Sequence, residues 1–158
     1  MAESRSRGSQ GPGVKINVLK IGKISYPEIK SLAQIYEERL MAFAKVHRLE
    51  FKDDSTAMKH LKDPSADHRV ILLDERGSHW TSVELAQTIQ TLSNDPAIKS
   101  LTFVIAGPMG PSAELRGMFR HTWSLSKATL TSDMAWLLVW EQLYRAYSIL
   151  KGTGYHHD

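Results

Sequence analysis

Short apolar runs recur along this chain of 158 residues, and a stretch with helical periodicity follows nearly every one of them. That alternation constrains the fold more than any other feature. A strand buried on both faces reads as an unbroken apolar run, and its sheet needs helices on both sides. Val70–Leu73 in "RVILLDERG" and Phe103–Ala106 in "SLTFVIAGPMG" have this character. "VKINVLKIG" adds a strand in which Val14, Ile16, Val18 and Lys20 alternate with other residues, and "HRLEFKD" adds one with Leu49 and Phe51 on one face. The expected class is α/β, a mostly parallel sheet flanked by helices.

The intervening segments carry helix signals. "SYPEIKSLAQIYEERLMAFAK" has Pro27 at its start, Glu28 in its first turn, and apolar residues at Ile29, Leu32, Ala33, Tyr36, Leu40 and Phe43. A short helix is expected near Ser55 to Leu61. Thr81 and Glu84 fit a capping box opening a helix to about Leu92. "SAELRGMFRH" reads as a short helix and "WSLSKATL" as a strand or loop. Ser132 is the expected cap of a long last helix, from about Asp133 to Leu150. Met134 to Val139, Trp140, Leu143 and Tyr144 leave that helix almost no polar face in its first two turns. A helix apolar all round must be covered all round, and in so small a domain a second subunit is the expected cover.

Residues 1–13, "MAESRSRGSQGPG", are too polar to order themselves and read as a flexible extension before one domain at 14–158. The longest apolar run, Met134–Trp140, is far too short to span a membrane, and no apolar secretory core opens the chain. With no cysteine there is no disulfide, thiolate metal site or cysteine nucleophile, and the expected location is cytoplasmic. A net charge of +3 permits a polyanionic partner without requiring one.

Chemistry-bearing motifs are quiet. "AGPMG", Ala106 to Gly110, joins a strand to a helix, and either a ligand loop or a plain turn accounts for it. It lacks the lysine of a P-loop and the third glycine of a dinucleotide fingerprint. "SLSKATL", Ser124 to Leu130, reads by itself as a loop or edge strand. Glu141 and Arg145 stand at the i,i+4 spacing of a helix-surface ion pair. The seven histidines form no metal-ligand pattern, and no metal site is expected. The ending "LKGTGYHHD" is unusual: two glycines, then a phenol and two imidazoles, where chain ends commonly carry inert polar residues.

"KINVLKIG", "LLDERG", "TFVIAGPMG", "WSLSKATL", "EQLYRAYSILKG" and the terminal "YHH", in this order, resemble the bacterial large-subunit rRNA pseudouridine N3-methyltransferases of the RlmH type, members of the SPOUT class. The resemblance runs from about residue 15 to the end. It implies a C-terminal deep trefoil knot, a homodimer seamed around Leu137 and Trp140, and S-adenosylmethionine held largely by backbone. The cofactor positions carried over are Leu73, Gly107, Leu125, Ser126, Lys127, Ala128, Thr129 and Leu130. The implied reaction is methylation of N3 of a pseudouridine in 23S ribosomal RNA, with the assembled ribosome as partner.

Methylating N3 requires loss of a proton, so a base or an oxyanion stabiliser is needed nearby. Tyr155 and His156 fill that need under the resemblance, with Arg145 steadying charge or a phosphate. His156 is the better base, because imidazole titrates near working pH and phenol does not. The basic surface expected to meet RNA is Lys20, Lys23, Arg116, Arg120 and Lys151. Three departures from the family pattern stand out: Thr131-Ser132 for Pro-His, Trp136 for arginine, and Ala106 for glycine. They keep two alternatives open, a SPOUT methyltransferase acting on another RNA position and a non-catalytic RNA- or ribosome-binding dimer.

Overall fold

The structure is a computed structural model that describes residues 13–62 and 67–157, so the expected extension, apart from Gly13, lies outside the described residues. The strands are β1 (Lys15–Ile21), β2 (Val46–Phe51), β3 (His68–His79), β4 (Ser100–Ile105) and β5 (His121–Ser124), in the order β2-β1-β4-β3-β5. Each pairing among them is parallel, as the apolar runs require. The helices are α1 (Pro27–Leu40), α2 (Asp54–Leu61), α3 (Ser82–Asn94), α4 (Ala113–Met118) and α5 (Ser132–Lys151).

Strand side chains alternate between two cores. Ile16, Val18, Ile71, Phe103 and Ile105 join the core under α1, α3 and α5, while Leu19, Ile21, Leu72 and Val104 join the one under α2 and α4. The α3 capping box forms as expected: Thr81 Oγ1 accepts from the Glu84 N–H at 3.1 Å, and Glu84 accepts from the Thr81 N–H at 2.8 Å.

Several expectations are corrected. The cap of α5 is Thr131, whose Oγ1 accepts from the Met134 N–H at 3.2 Å, so Ser132 is already helical. Leu32 was expected in the core but stays 43% exposed with Ile35 at 45%, because Ala33 and Leu40 take the inward line and a neighbouring position lies about 100° away. α5 leaves edge strand β5 and packs against α1, α3 and β4. That cover buries Trp136, Leu137, Val139, Trp140 and Leu143 within one chain, so Leu137 and Trp140 do not of themselves call for a second subunit. Trp136, in the place of an arginine, sits edge-on to Trp140 with centroids 6.2 Å apart. Lys20 is fully buried rather than part of a basic surface, and its ammonium donates to the Ile21 carbonyl. Burial lowers its pKa, with Asp133 and Glu50 opposing the shift.

No helix among the described residues is long and apolar enough to cross a membrane.

Candidate active site

In parallel α/β sheets, ligands bind beyond the carboxyl ends of the strands. Here the segments leaving β4 and β5, together with an irregular stretch of β3, enclose a cavity of about 420 Å³. That volume lies in the range of small-molecule sites, roughly 300–1,000 Å³. The β3 irregularity has a specific origin. Leu73 and Ser78 both pair with Trp123, so residues 74–77 are an excursion from the ladder, and it carries Asp74, Glu75 and Arg76 to the cavity wall.

The loops are stiffened by their own hydroxyls and amides. Ser124 Oγ donates to the Ser126 carbonyl at 2.9 Å, and the Ala128 N–H donates to Ser126 Oγ at 2.9 Å. The Gly110 N–H closes the preceding turn on the Gly107 carbonyl at 2.9 Å. Seven of the eight cofactor positions named from the sequence line this one cavity: Leu73, Gly107, Leu125, Ser126, Ala128, Thr129 and Leu130. Lys127 does not line it and is exposed.

Sequence reasoning missed the Asp74–Arg116 pair on the same wall. Arg116 Nε meets Asp74 Oδ2 at 2.6 Å and Nη2 meets Oδ1 at 3.3 Å, a two-pronged contact across 42 positions of sequence. Burial works to raise the Asp74 pKa, but the Arg116 guanidinium and the Arg76 N–H outweigh it and hold the carboxyl below its usual range. Only the charges inside "LLDERG", an otherwise strand-like stretch, hinted at this arrangement.

The tail forms a second cluster. Gly152, at φ 67°, ends α5 in the left-handed conformation that a side chain rarely adopts, and Gly154, at φ 84°, turns the chain again. The last residues then fold back on α5. Tyr155 Oη donates to Glu141 Oε2 at 2.9 Å, and Arg145 Nη2 donates to the same oxygen at 2.8 Å. Arg145 Nη1 lies 3.1 Å from His156 Nδ1 and its guanidinium 4.8 Å from the Tyr155 ring centroid. The Tyr144 ring meets Tyr155 edge-on at 4.7 Å.

Two chemical consequences follow. A guanidinium has only donors, so this contact casts His156 Nδ1 as the acceptor and sets the imidazole N–H on Nε2. Burial, with hydrogen bonds to Tyr36 and Glu141, pushes the Tyr155 phenol well above its usual pKa, so it stays protonated and donates. The structure brings Arg145, Tyr155 and His156 together. None of them lines the cavity, and Arg145 lies ten residues beyond Ala135 on its wall, about 15 Å along the helix axis.

A family model described as "Predicted SPOUT methyltransferase" matches residues 14–156. The chain is 34% identical over 154 residues to the ribosomal RNA large subunit methyltransferase H of Maridesulfovibrio salexigens, covering 90% of this chain and 98% of that one. To the protein of the same name from Christiangramia forsetii it is 35% identical over 156 residues, with the same coverage. Among solved structures, a probable methyltransferase from Bordetella pertussis shares the fold with a TM-score of 0.56 at 11% identity, covering 91% of this chain and 99% of that one. A probable methylase family protein from Haemophilus influenzae does so with a TM-score of 0.56 at 12% identity, covering 92% and 71%. With the match spanning nearly every described residue and the expected cofactor loops meeting in one cavity, this chain belongs to the SPOUT methyltransferase family.

Proposed function

We propose that this chain is an S-adenosylmethionine-dependent methyltransferase that acts on N3 of a pseudouridine in large-subunit ribosomal RNA. The observation that carries the reading is the convergence of three separated loops, through the seven positions named above, on one cavity of cofactor size. Relatives named for large-subunit rRNA methylation support the substrate. The residues present fit the cofactor: the loops offer small and hydroxyl side chains, Gly107, Ser126, Ala128 and Thr129, beside apolar Leu73 and Leu125. When bound, S-adenosylmethionine supplies an electrophilic methyl group.

Everything else falls to the chain and its substrate. Loss of the N3 proton to water leaves negative charge spread over N3 and the flanking carbonyl oxygens. Donors aimed at that charge lower the barrier. The Arg145 guanidinium and His156 Nε2–H form such a set, and Tyr155, whose own O–H is spent on Glu141, positions Arg145 against its ring. The Arg145–His156 contact favours the donor role for His156 over the base role.

The separation of tail and cavity favours a homodimer. In such a dimer one copy's tail cluster would complete the other's cavity, and exposed Leu32, Ile35 and Met134 on α1 and α5 are apolar residues available to pair. The same proposal includes the C-terminal trefoil knot of the class, a single domain over 14–158, and a cytoplasmic location with the assembled ribosome as partner.

The test is methyl transfer from labelled S-adenosylmethionine to ribosomes lacking the modification, with the product nucleoside identified. N3-methylated pseudouridine in 23S rRNA is expected. A different labelled nucleoside would redirect the substrate, and cofactor binding with no transfer to any RNA would leave a binding dimer.

A further inference from the structure

The loop after β4 carries a side chain that the fold leaves unused. Met109 is 96% exposed, whereas Tyr26, the next of the exposed large apolar residues, is at 60%. The turn holding it is fixed. Gly110, at φ 76°, closes on the Gly107 carbonyl, Pro108 and Pro111 restrict the backbone on either side, and the Ser112 N–H ties the loop to the Asp54 carboxylate at 3.0 Å. A fixed turn therefore holds a solvated thioether out at one position. That position is the rim of the cavity, which Met109 shares with Arg76 and Arg116.

A base that reacts inside a cavity must leave its stack, and the faces of its former neighbours are then exposed to water. Apolar side chains, methionine among them, recur as wedges between unstacked bases. An unbranched, polarisable thioether adapts to an irregular gap. We propose that Met109 is that wedge: it fills the position the target nucleotide vacates, while Arg76 and Arg116 on the same rim face the adjoining phosphates. Met109 is thus a positioning residue for the RNA, not for the cofactor. This inference rests on the rRNA reading of the site.

Near-complete exposure makes the test clean, since removing this side chain deletes no packing. The experiment compares wild type, M109A and M109L in methyl transfer to unmodified ribosomes, alongside S-adenosylmethionine affinity by calorimetry and mass by sedimentation. The expected result is a fall of tenfold or more in kcat/KM for ribosomes with M109A, cofactor affinity within twofold of wild type, unchanged mass, and at least one-third of wild-type kcat/KM with M109L. Three results overturn the wedge: M109A within twofold of wild type on ribosomes, a loss of cofactor affinity, or dissociation of copies. Wild-type protein that methylates no ribosome would instead sink the rRNA reading, and the wedge with it.

Discussion

The imidazole of His156 shows how one contact changes a residue's chemistry. Free in solution it would serve as a base near neutral pH. Beside Arg145, its Nδ1 lone pair is taken and its Nε2 presents a proton. His156→Ala is expected to lower kcat about 100-fold, the scale of a lost oxyanion donor. His156→Gln keeps an N–H and is expected to regain about tenfold of that loss. Equal inactivity of the two variants in single-turnover methyl transfer would restore the base role. His68 gives a second residue-scale prediction. Its Nδ1 lies 2.6 Å from Ser100 Oγ and its Nε2 3.2 Å from Thr102 Oγ1. Burial lowers its pKa, with nearby Asp67 opposing the shift and His60 and Arg69 adding to it. The unfolded chain therefore binds more protons than the folded one just below the ordinary histidine value of about 6.5. Stability should fall as pH drops through that value, and thermal melts of His68→Gln between pH 7 and 5 should show a smaller decline than wild type. A steeper decline in the variant would refute this. The His68 network joins residues of β3 and β4 that lie more than thirty positions apart, so no local pattern announced it.

At the scale of elements, β3 departs most from its sequence reading. The apolar run Val70–Leu73 marked the strand, but the strand continues to His79 around the excursion at residues 74–77. Gly77 is where the excursion rejoins the ladder. A β-carbon there would lie 2.6 Å from Thr122 C and Trp123 N, both main-chain atoms of β5. Gly77→Ala should therefore cost about 1–3 kcal/mol by overpacking, seen as a fall of roughly 5 °C in melting temperature. An unchanged melt would mean that β5 yields freely. Periodicity found α1 and α3 because each buries one stripe, and α5 because its first two turns are apolar nearly all round. It misjudged Leu32 and the cover of α5, since which helices flank a given helix depends on strand order.

For the whole molecule, the arrangement that matters most is that of cavity and tail, which one chain holds apart. Heterodimers carrying Gly107→Val in one copy and His156→Ala in the other separate the two geometries. If each site combines one copy's cavity with the other's tail, one intact site survives and about half of wild-type activity returns. If each copy serves itself, both sites are dead and the mixture is inactive. The sequence by itself determined the α/β class, the parallel strands, the helix starts other than that of α5, and the glycine turns of the tail, because each follows from side-chain period or from backbone freedom within a few residues. The resemblance also named seven positions that meet in the cavity. Only the tertiary structure decided the Asp74–Arg116 pair, the burial of Lys20 and the contact between Arg145 and His156. Those depend on groups that strand order and helix packing bring together across tens of residues, where no local rule of sequence reaches.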